Sequence, residues 1–186
     1  MVRVFSGTDG SQLHQFLAFS HDYRHGVRVA AGDIDKDGFS EIVVGAGGGS
    51  LVRVFDGNTY DQKYHFNPFK NISNRHGVFV AIGDVQGTDD LEIVVGTGGH
   101  VAAEVRVFDS LDGKYVDQVF QDRDMRVGIP VGVYDWNEDG TEEVITGRGR
   151  GWRGFVNLSE YNAVTHRWLT QDHLTAFDNK DGESIG

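Results

Sequence analysis

The sequence contains no cysteine, and only 2 of its 186 residues are proline. Without cysteine the chain can form no disulfide, no thiolate zinc site and no iron–sulfur cluster, so any bound metal must be held by oxygen or imidazole ligands. The N-terminus lacks a basic segment followed by an apolar one, and no run approaches the roughly 18 apolar residues of a membrane-spanning helix. We therefore expect a soluble chain with no membrane span and no export signal, which leaves its native location open.

Positive charge is also scarce, because 17 Lys and Arg residues stand against 28 Asp and Glu residues, for a formal net charge of -11. Such an acidic chain is not expected to bind nucleic acid. Glycine is abundant by contrast, with 26 residues, about twice its usual share of roughly 7%. Because 39% of the residues are hydrophobic, the composition predicts a folded chain with many tight turns rather than a disordered one.

Three blocks of sequence recur along the chain. V-R-V-F occurs at Val2–Phe5, Val52–Phe55 and Val105–Phe108. E-I-V-V-G at 41–45 and 92–96 is followed by E-V-I-T-G at 143–147, so that successive copies lie 51 residues apart. A third block, which begins at Val27, Val78 and Ile129, keeps the same 51-residue spacing. Agreement among the three blocks predicts a true structural repeat.

Each repeat predicts four short strands, and no segment has a helical period. A four-stranded unit of about 50 residues is typical of a β-propeller blade, whereas the parallel β-helix is the weaker alternative because its repeats are shorter. Glycine-rich turns at 45–49 and 96–99 could cradle phosphate, but no Lys-Ser/Thr pair or helix follows them, which favours hairpin turns.

The fold prediction is therefore all-β, with blades of four antiparallel strands and about 3.5 blades in the chain. The chain reads as a single repeat domain over 1–186. It divides into an outer half-blade (2–26), three blades (27–77, 78–128 and 129–174, hereafter blades 1, 2 and 3) and a linker tail (175–186). Such a set cannot close a ring alone, so we expect either a fragment of a longer propeller or a ring completed by homo-oligomerisation.

An acidic segment joins the first two predicted strands of each blade. Loop 1 (Asp33–Glu41) and loop 3 (Asp135–Glu143) both follow D-x-[DN]-x-D-G-x-x-E. Oxygen side chains at positions 1, 3 and 5, a carbonyl at position 7 and a carboxylate at position 9 can surround one hard cation, and Gly at position 6 permits the sharp turn. Calcium suits this loop better than magnesium, which takes fewer protein ligands; the alternative is an acidic hairpin turn without metal.

Loop 2 (Asp84–Glu92) keeps the first and last carboxylates but is degenerate between them. Gln86 and Thr88 replace the acids at positions 3 and 5, and Gly87 stands at position 4 instead of position 6. Because it has fewer charges, this loop should bind calcium more weakly than the other two, or not at all. The prediction is two or three calcium ions per chain, with the weaker candidate ligands Asp84, Gln86, Thr88, Asp90 and Glu92.

The loops, with the E-I-V-V-G that follows and the V-x-V-A-x-G-D that precedes them, resemble the FG-GAP or VCBS repeats of the integrin α-subunit propeller and of many secreted bacterial proteins. The resemblance covers nearly the whole chain and implies a calcium-stabilised propeller that serves in adhesion or beside an enzyme domain. The ninth position is usually Asp in that family and is Glu here. The implied ligands are Asp33, Asp35, Asp37, the Phe39 carbonyl and Glu41 in loop 1, and Asp135, Asn137, Asp139, the Thr141 carbonyl and Glu143 in loop 3.

Two further groups of residues could bind a ligand. Arg24, Arg75 and Arg126 precede the first strand of each blade, at the end opposite the acidic loops, and could form a cationic ring for a carboxylate or sulfate ligand; the alternative is structural pairing with acids. The aromatic residues of the last third could stack on sugars or simply pack between blades: Tyr134, Trp136, Trp152, Tyr161 and Trp168.

The sequence contains no G-x-S-x-G or H-E-x-x-H motif, so we do not expect an enzyme. We expect a calcium-stabilised module that binds protein or carbohydrate outside the cell or in the periplasm, where calcium is concentrated enough to fill such loops. Similar calcium loops occur in the propellers of rhamnogalacturonan lyases, so one alternative is the propeller portion of a polysaccharide-active enzyme. The other is a self-assembling structural repeat protein.

Overall fold

The computed structural model of the chain describes residues 1–70, 76–148 and 155–175, which contain fourteen β-strands and no helix. The strands are β1 (Val2–Phe5), β2 (Gln12–Phe16), β3 (Val27–Gly32), β4 (Glu41–Ala46), β5 (Val52–Phe55), β6 (Gln62–Phe66), β7 (Val78–Gly83), β8 (Glu92–Thr97), β9 (Ala103–Asp109), β10 (Tyr115–Asp122), β11 (Val131–Tyr134), β12 (Glu143–Gly147), β13 (Phe155–Asn162) and β14 (Arg167–Thr175).

The strands form one two-stranded sheet and three four-stranded sheets, in which every strand pairs antiparallel with its neighbour in sequence. β1 and β2 make the half-blade, and the sheets β3–β6, β7–β10 and β11–β14 are blades 1, 2 and 3. The prediction of an all-β chain built of propeller blades is therefore confirmed. The described residues close no ring, and they include no helix that is long and apolar enough to cross a membrane.

The burial of each strand follows its place in the blade. All six residues of β8 are buried, because this strand lies between two others and is covered on both faces by neighbouring blades. The outer strand β6 alternates between exposed and half-buried residues, since only one of its faces packs inward. A continuous apolar run in the second strand and an alternating pattern in the fourth are thus the local cause of the blade's layering.

The arginine of the V-R-V-F block ties blade 1 to the half-blade and blade 2 to blade 1. Arg53 donates a hydrogen bond of 3.0 Å to the carbonyl oxygen of Ala18, and its guanidinium lies over the Phe19 ring. Arg106 repeats this arrangement with a 2.7 Å hydrogen bond to the Pro68 carbonyl oxygen and the same kind of ring contact. Because both members of the pair are reproduced one repeat apart, successive blades are held at a constant spacing.

The half-blade leaves an uncovered apolar face. Phe5 in β1 is 54% exposed, whereas its repeat equivalents Phe55 and Phe108 are only 5% and 3% exposed. In blades 1 and 2 these phenylalanines pair with the second strand of their own blade, and β1 has no such partner among the described residues. The difference in exposure measures the surface that an inner hairpin would cover.

Each outer strand carries one extra residue at the same point of its ladder. In β6 the register passes from Val54 opposite Tyr64 to Phe55 opposite Gln62, so that Lys63 is the bulged residue. The same shift occurs in the other three outer strands, where the bulged residues are Leu13, Val116 and Gln171. A bulge redirects a side chain out of the regular alternation, and Lys63 is thereby aimed at loop 1.

Candidate metal centre

The three acidic loops occupy equivalent places in the fold. Loop 1 joins β3 to β4, loop 2 joins β7 to β8, and loop 3 joins β11 to β12. Each loop connects the first strand of a blade to the second, and the blades succeed one another in the same orientation, so all three loops lie at one edge of the sheets. The three loops therefore form one edge of the blades, which we call the rim.

A network of hydrogen bonds from backbone to carboxylate shapes loop 1. The two carboxylate oxygens of Asp33 accept hydrogen bonds from the backbone N–H groups of Asp37 and Gly38, at 3.1 and 3.0 Å. Asp37 in turn accepts one from the N–H of Phe39 at 2.8 Å. Loop 3 repeats all three bonds at 3.1, 3.0 and 2.8 Å, centred on Asp135 and Asp139. The two loops thus share one geometry, as their common motif predicts.

The glutamate at position 9 is hydrogen-bonded to the backbone at position 2 in every loop. Glu41 is fully buried, and it accepts a hydrogen bond of 2.9 Å from the backbone N–H at position 2 of its loop. Glu92 and Glu143, which are also buried, accept the equivalent bond at 3.0 and 2.7 Å. A longer side chain at this position, where the family usually has Asp, therefore still reaches into the loop from the start of the second strand.

Loop 2 has the same backbone shape as the other two, although its glycine has moved. Positions 4 and 6 adopt positive φ angles in all three loops: 60° and 93° in loop 1, 68° and 65° in loop 2, and 59° and 92° in loop 3. Glycine fills position 6 in loops 1 and 3, whereas loop 2 places Gly87 at position 4 and Asp89 at position 6. Since the left-handed conformation is needed at both positions, either one can hold the glycine.

The carboxylate of Asp84 again accepts hydrogen bonds from positions 5 and 6, at 2.9 and 2.7 Å. The weakness predicted for loop 2 therefore comes from its side chains, which lack acids at positions 3 and 5, and not from the shape of its backbone. The hairpin itself does not differ.

The carboxylates of loop 1 are close enough to share a single cation. Asp33, Asp35 and Asp37 each offer an oxygen, and these oxygens lie within 4.8 Å of one another. Calcium binds oxygens at roughly 2.3–2.6 Å, so ligand atoms around one ion stand up to about 5 Å apart. A carboxylate has about four acceptor positions, and the two N–H groups on Asp33 leave others free for a metal. The residues present therefore fit a calcium ion.

Loop 3 differs from loop 1 at its third position. The Asn137 side-chain oxygen accepts a hydrogen bond of 2.9 Å from the Asp139 N–H, and its amide nitrogen donates one of 3.0 Å to the Asp139 carboxylate. Asn137 thus occupies the place of a ligand without adding charge. Among the described residues, loop 1 alone assembles three carboxylates in this way.

Charged partners from elsewhere in the fold modify loop 1. The Lys63 ammonium lies 2.6 Å from a carboxylate oxygen of Asp35 and 3.4 Å from one of Glu41. The hydrogen bond from Lys63 holds the pKa of the Asp35 carboxyl below its usual range, and the same bond raises the pKa of Lys63. The lysine lies 22 residues beyond the end of the loop, and the sequence motif gives no sign of it.

Neighbouring loops are also joined to one another. The Glu142 carboxylate in loop 3 accepts a 2.8 Å hydrogen bond from the Asp84 N–H, and the Glu142 N–H donates a 2.9 Å bond to the Asp84 carbonyl oxygen. Lys36 in loop 1 pairs with Asp90 in loop 2 at 3.0 Å. Asp90, a weaker candidate ligand, is therefore engaged by a cation from the adjacent blade. The loops form a connected rim instead of three separate turns.

Among the acids of the three loops, the Glu92 carboxyl has the most strongly shifted pKa. Burial raises the pKa of its carboxyl to about 7, and the negative charges of Asp84 and Asp109 act in the same direction. The hydrogen bond from the Val85 N–H opposes these effects but does not cancel them. Loop 2 thus holds a buried carboxyl that is half protonated near neutral pH.

The arginines proposed as a cationic ring lie at the other end of the first strands. Arg24 is exposed and donates a hydrogen bond of 2.5 Å to the carbonyl oxygen of His21. Arg126 is also exposed, and Arg75 lies outside the described residues. Arg24 and Arg126 precede β3 and β11, so the two candidate sites are on opposite edges of the blades. The anion-binding role of these arginines remains a prediction.

The aromatic residues of the last third divide into two groups. Tyr134 and Trp136, at the end of β11 and in loop 3, are 58% and 60% exposed. Trp168 is half-buried, and its indole N–H donates a 3.0 Å hydrogen bond to the carboxylate of Asp117 in blade 2. Trp168 therefore packs between blades, whereas the first two are available to solvent. Trp152 lies outside the described residues.

Comparison with known proteins gives three findings, of which the first two concern sequence. Residues 25–63, which span most of blade 1 and all of loop 1, match the family model of the FG-GAP repeat, so the predicted resemblance is confirmed for this segment. No curated protein sequence matches the chain.

The crystal structure of rhamnogalacturonan lyase YesW resembles the fold of the chain, with a TM-score of 0.61 over 97% of its residues and 12% sequence identity. The match takes up 37% of the lyase chain, so the present chain spans little more than a third of that protein's length. At this identity the likeness establishes the β-propeller-type fold and carries no assignment of activity.

Proposed function

We propose that the chain is a calcium-stabilised β-propeller repeat module, in which loops 1 and 3 bind one calcium ion each and loop 2 is a weaker site. The observation that carries the proposal is the arrangement of Asp33, Asp35 and Asp37, whose oxygens converge within 4.8 Å on a backbone that loop 3 reproduces. The match of residues 25–63 to the FG-GAP repeat supports it, because these repeats generally bind calcium.

The residues divide the work within each loop. The acids at positions 1 and 5 would supply ligands while their hydrogen bonds keep the hairpin turned, and the carbonyl oxygens of Phe39 and Thr141 would complete the shell at position 7. The buried glutamate at position 9 belongs to the second strand of the blade. An ion held between positions 1 and 9 would tie the hairpin to that strand and offset the repulsion among the carboxylates.

We further propose that the module acts as a scaffold that binds protein or carbohydrate outside the cell or in the periplasm. Tyr134 and Trp136 support a carbohydrate ligand, because exposed aromatic faces beside loop 3 can stack against the apolar face of a sugar ring. Millimolar calcium in such compartments would fill loops of this kind. FG-GAP repeats occur generally in extracellular proteins, which supports the location.

Native mass spectrometry with calcium and with EDTA tests the metal assignment. Two or three calcium ions per chain should appear, and Asp37→Asn and Asp139→Asn should each remove one at limiting calcium. Asp22→Asn is the matched control, because it deletes the same charge from an exposed side chain outside the loops. If the mass does not change with calcium, or if all three variants lose ions equally, the proposal fails.

A second candidate function is the propeller portion of a polysaccharide-active enzyme, which the likeness to a rhamnogalacturonan lyase favours. We propose that this chain does not itself catalyse the reaction. Calcium-dependent retention on a glycan array, with no loss of viscosity from a uronic polymer, is the expected result. A fall in viscosity that is abolished by EDTA would assign the chain to the enzyme class instead. Variants at Tyr134 and Trp136 should weaken glycan retention without altering the calcium count.

The open half-blade bears on how the propeller is completed. We propose that the exposed Phe5 face is covered by an inner hairpin, either from a longer chain or from an oligomer. The same mass spectra discriminate these cases, since a discrete oligomer supports completion by other copies. A species that remains monomeric at all concentrations supports completion by further blades of one chain.

A further inference from the structure

The bulged position of the outer strand differs in chemistry from blade to blade. In three of the four outer strands it holds an uncharged residue: Leu13, Val116 or Gln171. In blade 1 it holds Lys63. All four strands shift register at this point, although β10 has a second shift further along, so blade 1 differs at the bulge by carrying a cation.

The Lys63 side chain is 30% exposed, and its ammonium lies among three carboxylates. It contacts Asp35 at 2.6 Å, Glu41 at 3.4 Å and Asp56 at 3.9 Å. Asp35 and Glu41 are positions 3 and 9 of loop 1, and both are proposed calcium ligands. The ammonium therefore occupies oxygen atoms that the loop would otherwise present to calcium.

Loop 3 offers the natural comparison. Asp135, Asp139 and Glu143 take part in no ion pair within the described part of the chain. Their hydrogen-bond partners are backbone N–H groups and the Asn137 amide. Two loops with the same backbone thus differ at position 3, which is Asp35 in loop 1 and Asn137 in loop 3, and in that loop 1 has a counter-cation whereas the described residues give loop 3 none.

We propose that Lys63 is a built-in competitor for calcium at loop 1, so that this loop binds the ion more weakly than its number of acids predicts. The inference rests on the proposed function of the loops. An ammonium and a divalent ion repel one another, and they cannot share one carboxylate oxygen. Calcium must therefore either displace Lys63 from the Asp35 oxygen that it holds or bind the other oxygen beside a positive charge, and either course weakens binding. In return, Lys63 keeps the acids of loop 1 paired when calcium is scarce.

Removal of the charge isolates this effect. Lys63→Met keeps most of the methylene stem, and Lys63→Gln installs the residue type found at the bulge of blade 3, whereas Lys63→Arg keeps the charge as the matched control. Calcium titrations against a chromophoric chelator are run in an Asp139→Asn background, where loop 1 is intact and loop 3 is disabled. The Asp37→Asn background reports loop 3 in the same way, and the double variant gives the residual contribution of loop 2.

The Met and Gln variants should bind calcium about tenfold more tightly at loop 1, which corresponds to about 1.4 kcal/mol. The Arg variant should not, and the affinity of loop 3 should stay unchanged. In EDTA the Met and Gln variants should melt at a lower temperature than the parent, because the acids of loop 1 then have no cation beside them. Calcium should raise the melting temperature of these variants more than that of the parent, because the ion supplies the missing positive charge.

Unchanged or weaker binding at loop 1 in both uncharged variants would overturn the inference, since Lys63 would then be a bystander or would help to position Asp35. Failure of either background to bind calcium in the parent protein would overturn the proposed function itself. The two failures are distinguishable. If loop 3 binds calcium normally but the calcium affinity of loop 1 does not change when Lys63 is substituted, only the inference about Lys63 fails. If Lys63→Met fails to fold in EDTA, the smaller change to Gln provides the measurement.

Discussion

The second strand of every blade carries a glycine at the same repeat position, and the structure predicts unequal costs for replacing Gly45, Gly96 and Gly147. A Cβ atom added at Gly96 would lie 2.2 Å from the backbone oxygen of Ile129 in blade 3. One added at Gly45 would lie 2.9 Å from a side-chain methyl of Val80 in blade 2. At Gly147 an added Cβ would meet no atom of the described residues within 4 Å. Alanine at these three positions therefore probes how closely consecutive blades approach.

The size of each effect follows from those distances. A carbon atom needs at least about 3.2 Å from a carbonyl oxygen, so Gly96→Ala must move two backbones apart by about 1 Å. Overpacking of this kind costs about 1–3 kcal/mol, and lost freedom of the unfolded chain returns about 0.4–1 kcal/mol. We expect a loss of about 2 kcal/mol for Gly96→Ala. Gly45→Ala should lose about 1 kcal/mol, because a methyl group can yield, and Gly147→Ala should be neutral or gain up to about 0.5 kcal/mol.

Urea unfolding at 25 °C, followed by circular dichroism at saturating calcium and one fixed protein concentration, measures the three free energies on a common scale. The ranking matters more than the absolute values, since each variant makes the same chemical change. Equal destabilisation by all three alanines, or a cost at Gly147 as large as at Gly96, would refute the reasoning. The blades would then not be packed backbone against backbone in solution as they are in this structure.

Three further predictions follow from other contacts. In EDTA, Glu92→Gln should stabilise the protein at pH 8 but not at pH 4. The reason is that a carboxyl with a pKa of about 7 in the fold and an ordinary 4.5 when unfolded binds its proton more tightly in the fold, so stability falls as pH rises from 4.5 to 7. The effect of the variant on the free energy of unfolding should differ between the two pH values by at most about 3 kcal/mol, and by about 2 kcal/mol once solvent screening is included. An equal effect at both pH values would contradict the prediction. Arg106→Met should cost about 3 kcal/mol in urea unfolding because it leaves the buried Glu104 unpaired, and the added change Glu104→Gln should recover part of that loss. Phe5→Ser should reduce concentration-dependent association in light scattering while keeping the fold, whereas the equivalent Phe55→Ser should unfold blade 1; equal behaviour of the two would argue against the open half-blade.

Much of the architecture was predictable because several sequence blocks recur at the same interval, and each block supports the repeat boundaries that the others indicate. Glu41, Glu92 and Glu143 recur at a constant interval, and each begins a second strand in the structure. Strand order within a blade followed from which segments are continuously apolar and which alternate. The boundaries of the individual units in sequence remain a prediction, since the sheets alone do not define where one structural domain ends.

The acids of loop 1 could also be predicted to converge, because their spacing of two residues is set by the turn itself. The shape of loop 2 could not. Its displaced glycine suggested a different turn, and only the backbone angles reveal that two left-handed positions exist and that Gly87 fills the other one. A motif read as a string records which residue is present at a position but not which conformation the position requires.

Lys63 was missed for a different physical reason. Its strand reads as a regular alternation, and a regular strand would place its side chain by simple parity. The bulge adds one residue and reverses that parity locally, which no pattern of hydrophobicity records. The exposure of Trp136 was equally hidden, because Ile34 and Val85 at the same loop position are buried.

The contact between Glu142 and Asp84 has a consequence for how such repeats diverge after duplication. The first residue of loop 2 is hydrogen-bonded to the adjacent blade twice, because the Asp84 N–H donates to the Glu142 carboxylate and the Asp84 carbonyl oxygen accepts from the Glu142 N–H. A copy that is braced in this way can lose its acidic side chains by drift and still keep its turn, as Gln86 and Thr88 illustrate. In this chain the degenerate loop is one whose first residue is held by a neighbouring blade, so its shape persists without its acidic ligands.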